Sequence, residues 1–267
     1  MPDYRRLPQI REKRPLLHCI SNIVSANDCA NLALAIGASP MMAQAPEEME
    51  EITRLSAATV LNTGTPDAAR FEACRICARE AARLQQPVVL DPVGAGAGSW
   101  RLGHVKALLA ESPVSILRVN PGEARALLIG EGREQGVDSI GQSAEEERIA
   151  LAAALAEKYR TAVLLSGVTD LVHDGTKCYR VSGGSSRMSG ITGAGCMLNV
   201  ICGAFASVEA DMAEAAALAS SFWKRCAEDA QAAAGHLGPG SFRNALLDAA
   251  FRMDPAHWEA GSRIELL

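Results

Sequence analysis

Short apolar runs alternate with longer segments of helical period along almost the whole chain. The runs at 16–20, 58–62, 88–90, 115–119 and 162–165 are nearly continuous in apolar residues. They lack the strict in–out alternation of a half-exposed strand, so both of their faces are buried. Helix-period segments at 27–36, 65–84, 101–110, 121–128 and 143–159 separate them. Parallel strands need such crossovers, and the crossovers cover both faces of the sheet. The pattern predicts an α/β fold of three layers, with a mostly parallel central sheet and helices on both faces. The 267 residues read as one domain, 1–267. Ligands of such sheets sit beyond the carboxyl ends of the strands. The loops to inspect therefore follow Ile20, Asn62, Asp91, Val119 and Ser166.

Local signals place the boundaries. Gly37 ends the first helix of the alternation, and Thr65-Pro66 predicts an N-cap with proline at the first helical position. Ser143 and Glu146 form a capping-box pattern behind a Gly-rich loop at 129–141. Asp174-Gly175 lies between runs at 171–173 and 178–181 and predicts a hairpin. After a small, polar stretch at 183–191, the chain reads as helices at 193–208, 212–234 and 241–253. No internal repeat or low-complexity linker interrupts it.

Composition removes several functions. Lys and Arg number 26 against 31 Asp and Glu, and aromatics are 4%, so nucleic acid is not an expected partner. The longest apolar run near a membrane span, 200–208, stops at Glu209, so no membrane association is expected. The first fourteen residues are charged and carry no apolar signal region, which points to a cytoplasmic protein. Eight cysteines in a chain of this length suit free thiols in a reducing compartment. Cys74 and Cys77 form a C-x-x-C on a helix-period pattern. Without a second pair they read as packing residues rather than a metal site.

The segment Gly190-Ile191-Thr192-Gly193-Ala194-Gly195-Cys196 joins a polar loop to a long apolar helix. Thr192 is placed to cap that helix. Gly193 and Gly195 let a ligand approach the backbone. The first amides of a helix have no internal partners, and with the helix dipole they suit a phosphate. A tight packing turn fits the spacing equally well. Cys196 falls in the first turn, where a thiolate is stabilised and the thiol pKa is expected to fall below about 8.5. An ordinary buried cysteine is the alternative. Asp91 ends a buried strand before Pro92 and a glycine-rich turn. Asn120 and Glu123 open the next helix and suit magnesium through oxygen or water, or a favourable first-turn charge. Neither the Walker pattern nor the dinucleotide fingerprint is present. Asn22 and Met42 lie in loops, and Met42 suits a small flat ring or plain packing.

Together these segments resemble the hydroxyethylthiazole kinase family of the ribokinase-like superfamily. The resemblance rests on His18-Cys19-Ile20-Ser21-Asn22, Gly37-Ala38-Ser39-Pro40-Met41-Met42, Asn62-Thr63-Gly64-Thr65 and Val89-Leu90-Asp91-Pro92-Val93-Gly94. It continues through Arg118-Val119-Asn120-Pro121-Gly122-Glu123, Gly136-Val137-Asp138-Ser139, Thr192-Gly193-Ala194-Gly195-Cys196 and Gly238-Pro239-Gly240-Ser241-Phe242. The order runs through nearly the whole chain. It implies a ribokinase-like fold and phosphorylation of 4-methyl-5-(2-hydroxyethyl)thiazole with ATP and Mg²⁺, in thiamine biosynthesis or salvage. It implies that Cys196 stands where most such kinases carry a catalytic aspartate. Asn22, Met42 and Gly193 match substrate positions. Arg118, Ser166, Thr192, Gly195 and Asn120 match nucleotide positions, and Asp91 and Glu123 match acidic positions near metal and phosphate. A homotrimer with sites between subunits is also implied.

The family pattern reads Arg-Gly-Asn where this chain has Arg118-Val119-Asn120. The bulkier Val119 is expected to crowd the phosphate loop, Pro121 to stiffen it, and Ser166, in place of threonine, to keep the hydroxyl. A hydroxymethylpyrimidine kinase or an ATP/ADP-dependent NAD(P)H-hydrate dehydratase shares the glycine loop, normally with aspartate in place of Cys196. A non-catalytic thiazole- or nucleotide-binding relative is the rival from another class, and Val119 alone speaks for it.

Overall fold

Each apolar run of the alternation becomes a strand in the computed structural model, which describes residues 2–129 and 142–267. Helix α1 (Arg6–Lys13), strand β1 (Leu16–Ile20), α2 (Ala26–Ile36), β2 (Ser39–Met41) and α3 (Met49–Leu55) come first. Then follow β3 (Ala58–Asn62), α4 (Ala68–Leu84), β4 (Val88–Asp91), α5 (Ser99–Glu111), β5 (Ile116–Val119) and α6 (Pro121–Ile129). The chain continues with α7 (Gln142–Tyr159), β6 (Ala162–Leu165), β7 (Asp170–His173), β8 (Cys178–Val181) and α8 (Ala194–Ala206). It closes with α9 (Met212–Ala234), α10 (Pro239–Arg252), α11 (Pro255–Gly261) and β9 (Ile264–Leu266).

The strands form one sheet in the order β2-β1-β3-β4-β5-β6-β7-β8-β9. Pairing is parallel from β2 to β6 and antiparallel from β6 to β9. Successive side chains on a strand face opposite ways. Cys19, Val60, Val89, Ile116 and Leu164 therefore join one apolar core, with α2, α8, α9 and α10. Their neighbours Ile20, Leu61, Leu90, Leu117 and Leu165 join the other, with α4, α5 and α7. This division produces the three layers. Cys74 and Cys77 are fully buried in the second core, as packing residues.

Four boundaries differ from expectation. Thr65-Pro66 does not start α4; the helix begins at Ala68, and the Asp67 side chain accepts from the Arg70 amide at 2.7 Å. The Thr65 hydroxyl instead accepts from the Ile23 amide at 3.2 Å. Ser143 lies one residue inside α7 rather than ahead of it. Residues 39–41 form a parallel edge strand against β1, where Pro40 lies at the open side of the sheet. Thr192 does not cap α8, whose cap residue is Gly193 without a side-chain bond. Helices α1, α3 and α11 and strand β9 were not expected. The motif Gly136-Val137-Asp138-Ser139 and the loop at 129–141 fall, beyond Ile129, outside the described residues.

Candidate functional site

The parallel strands β3, β4 and β5 end side by side at Asn62, Asp91 and Val119. Asp91 is fully buried there. The Asn62 amide donates to its Oδ2 at 3.1 Å, and Arg118 Nη1 lies 3.4 Å from both carboxylate oxygens. Burial pushes the Asp91 carboxyl up to about 6; Arg118 pulls it down and Glu123 adds to the rise. Burial also works against the Arg118 charge, but Asp91, Glu123 and Asp170 outweigh it and hold the guanidinium above its ordinary value. Arg118 Nη2 donates to Ser166 Oγ at 2.9 Å, at the end of β6, while its buried Nε has no partner among the described residues. An orphaned donor on a buried cation is a place for an anion.

The Asp91 shift has a consequence for stability. The folded protein keeps a proton that the unfolded chain releases between the ordinary carboxylate range and about pH 6. This group therefore stabilises the fold below that window and loses the contribution as pH rises through it. Asp91→Asn removes the loss. In urea unfolding without metal, the variant should gain about 2 kcal/mol on the wild type between pH 4 and 7.5. A constant difference across that range contradicts the elevated carboxyl.

Helix α6 opens on a reciprocal cap. Asn120 Oδ1 accepts from the Glu123 amide at 2.9 Å and Glu123 Oε2 from the Asn120 amide at 3.0 Å. Glu123 Oε1 accepts from the Gly94 amide at 2.9 Å and so ties the loop after β4 to the same helix. Pro121 sits at the first helical position, where a missing N–H costs nothing.

Helix α8 begins opposite these strand ends. Gly193 holds φ +81°, and a Cβ there would meet the Ser25 side chain at 2.7 Å. A Cβ on Gly195 would meet both terminal nitrogens of Arg118 at 2.6 Å. The bare start of α8 thus lies directly against the guanidinium. Cys196 follows, buried, within reach of hydrogen bonds from Ser25 and Asn62. Its thiol does not titrate low as expected. Burial, then the Asp91 charge, raise it above its ordinary value, and the hydrogen bonds and Arg118 do not offset them.

A cavity of about 610 Å³ opens from this point. Arg118, Asn120, Ser166 and Gly195 line it together with Val168 and Trp223. Its lining combines donors suited to phosphate, among them Arg118 and Lys224, with the apolar side chains of Val168, Met188, Leu198 and Trp223.

A model of the hydroxyethylthiazole kinase family matches residues 7–255. The chain belongs to the hydroxyethylthiazole kinase family. A hydroxyethylthiazole kinase of Listeria monocytogenes is 42% identical, over 93% of this chain and 92% of that protein. Another, of Methanosphaerula palustris, is 39% identical over 98% and 97%. The solved structure of the hydroxyethylthiazole kinase protein from Pyrococcus horikoshii superposes with a TM-score of 0.91 at 35% identity, covering 99% of this chain and 98% of that one. A ribokinase-like superfamily protein of Enterococcus faecalis shares the fold at a TM-score of 0.61 and 12% identity, over 93% and 94%.

Within this hydroxyethylthiazole kinase family member, the residues named from sequence fall into two groups. Arg118, Asn120, Ser166 and Gly195 line the cavity, with Asp91 and Glu123 packed behind. Asn22, Met42 and Gly193 lie outside it. Gly193 touches Ser25, whose amide donates to the Asn22 carbonyl at 3.1 Å, and Met42 packs on the core that includes Cys196. Thr192 is exposed and lines no part of the cavity. Val119 does not crowd the phosphate end. It alternates with Arg118 and is fully buried in the opposite core. Sequence reasoning missed Trp223, whose indole N–H donates to the Ala194 carbonyl at 3.2 Å, and Lys224, which lines the cavity and pairs with Asp170 at 3.5 Å. A lone tryptophan in an alanine-rich helix was the available signal.

Proposed function

We propose that the chain, as one kinase domain, transfers the terminal phosphoryl group of ATP to the primary alcohol of 4-methyl-5-(2-hydroxyethyl)thiazole in thiamine salvage. The carrying observation is the contact between side-chain-free Gly195 and the Arg118 guanidinium, with Cys196 next in the helix. The orphaned Arg118 Nε and the bare start of α8 fit a polyphosphate. Direct metal ligation fits less well: both oxygens of Glu123 already accept backbone amides, and Asp91 is engaged by Asn62 and Arg118. These two carboxylates would hold a hydrated Mg²⁺ through water. ATP with its ion supplies the phosphoryl group and offsets charge on the phosphate oxygens.

The chain's own residues do the rest. The amides at the start of α8 and Arg118 stabilise charge on the transferring oxygens, the dominant contribution in such transfer. Asn120 and Ser166 hold the phosphates, and Thr192, outside the cavity, has no contact among the described residues that supports a nucleotide role. Trp223 and Met188 give the base apolar walls. Asn22, Met42 and Gly193 orient the thiazole. The raised thiol suits Cys196 as an orienting group for the alcohol, and a loose transition state does not demand a strong base. The exposed side chains of Ile23, Val24, Leu34 and Met41 surround the Asn22 and Met42 loops and support a homotrimer with sites shared between subunits. Among the described residues no helix is long and apolar enough to cross a membrane, which fits a cytoplasmic enzyme.

Cys196→Ala should lower kcat by about 10- to 10⁴-fold with the KM for ATP nearly unchanged, and Cys196→Asp should remain active. Steady-state ADP release reads both, and full turnover in the alanine variant removes Cys196 from the chemistry. A panel of hydroxyethylthiazole, hydroxymethylpyrimidine and pyridoxal tests the substrate. Thiazole binding by calorimetry without ADP release would instead favour a binding protein.

A further inference from the structure

The Arg70 guanidinium is buried and meets no carboxylate among the described residues. It lies in the first turn of α4, 8% exposed, and makes no ion pair among the described residues. Its Nη1 donates to the Ser21 carbonyl, and its Nη2 donates to Gln44 Oε1 at 2.9 Å. Its Nε has no partner. Taking a guanidinium out of water without a counter-charge is costly, and neutral oxygens compensate only in part. A solvent-exposed arginine would avoid that cost, so the position must be explained by what the two acceptors belong to.

They belong to different loops. Ser21 begins the loop after β1, which carries Asn22 and Ser25. Gln44 lies in the loop after β2, two residues beyond Met42. No strand ladder joins these loops past His18 and Met41. The other holds each reach only one of the two loops, as where the Ile23 amide of the first donates to Thr65 Oγ1 at 3.2 Å. Asn22 Oδ1 accepts from the Val24 amide at 2.9 Å, within the first loop. The fully buried His18, kept neutral by burial, lies 3.2 Å from the Ala43 carbonyl through Nε2, in the second. A carbonyl only accepts, so that nitrogen carries the proton. Arg70 alone among these reaches both loops. Its planar fork suits two divergent acceptors, which a lysine cannot satisfy together.

We propose that Arg70 is a positioning residue that fixes the Asn22 loop against the Met42 loop and thereby sets the affinity for the acceptor alcohol. This rests on the reading that Asn22 and Met42 orient the thiazole. Arg70, Ser21 and Gln44 line no part of the Arg118 cavity, so the clamp acts on the acceptor before the nucleotide.

The test compares wild type, Arg70→Met, Arg70→Lys and Gln44→Ala in steady-state kinetics and in hydrogen exchange of the peptides spanning 21–25 and 42–45. Arg70→Met should raise the KM for hydroxyethylthiazole about tenfold, and Gln44→Ala about threefold, with the KM for ATP and kcat within about twofold. Arg70→Lys should fall between wild type and Arg70→Met. The double variant Arg70→Met with Gln44→Ala should be no worse than Arg70→Met, because both remove one clamp. Both loops should exchange faster in each variant. Gln44 is exposed, so Gln44→Ala decides the matter if Arg70→Met does not fold. Unchanged thiazole KM with unchanged loop exchange overturns the proposal. So does an equal rise in both substrates' KM, which marks a general strut. A wild type that does not phosphorylate hydroxyethylthiazole sinks the kinase reading and the acceptor role together, while loop exchange still reports whether the clamp exists.

Discussion

Gly195→Ala should cut kcat about 10²- to 10³-fold while leaving the protein folded. Alanine is the better helix former, and Gly195 does not hold a positive φ, so the backbone accepts it. The obstacle is one neighbour. The new methyl would sit 2.6 Å from both terminal nitrogens of Arg118. The guanidinium can retreat only by giving up Ser166 at 2.9 Å and its place beside Asp91. A displaced Arg118 no longer aims its charge at the start of α8. Urea unfolding paired with ADP release separates the two effects. Full activity would mean that Arg118 moves at no cost and that the close approach has no catalytic meaning.

Removing the cation itself should do more. Arg118→Met should lower kcat about 10³-fold or more, the scale on which arginines act in phosphoryl transfer. A second effect follows from the same pair. Arg118 is the chief influence holding the Asp91 carboxyl down against burial. Without it, Asp91 should titrate above its present value of about 6, and the residual activity should shift its acid limb to higher pH. Arg118→Lys should restore charge but not the simultaneous hold on Ser166 and Asp91, and so recover only part of the rate. A small loss, with an unmoved pH profile, would show that Arg118 serves packing alone.

Much of the architecture was legible in the sequence because one principle governs it. Strands buried on both faces read as apolar runs, and 58–62 and 162–165 match the observed strands to the residue. Where burial is partial the signal weakens. Strand β2 carries a proline and lies at the sheet edge, so nothing in its three residues distinguishes it from a loop. Asp67 and not Thr65 caps α4, while the Thr65 hydroxyl is drawn to Ile23, 42 positions away, a contact no local rule contains.

The site shows the same division. Arg118, Asn120, Ser166 and Gly195 converge because they end adjacent parallel strands or open the helix facing them. Asn120 and Gly195 stand out by residue type and place, whereas Arg118 and Ser166 entered only through the family resemblance. The titration of Cys196 was not. Its helix position argues for a low pKa, but burial and the Asp91 carboxylate, brought close only by the fold, reverse the direction. Val119 was misjudged for a related reason. Its bulk matters only if it shares a face with Arg118, and the pleat turns it into the opposite core. Trp223 and Arg70 were invisible because each acts through a tertiary contact, to Ala194 and to Ser21 with Gln44.

The most direct measurement is a crystal structure of the protein with hydroxyethylthiazole and an unreactive ATP analogue. The terminal phosphate should lie against the backbone amides of residues 193–195, with Arg118 beside it. The alcohol oxygen should be within hydrogen-bond reach of the Cys196 sulfur. A terminal phosphate bound elsewhere in the cavity, with the start of α8 facing only solvent or side chains, would contradict the cradle on which the proposed chemistry depends.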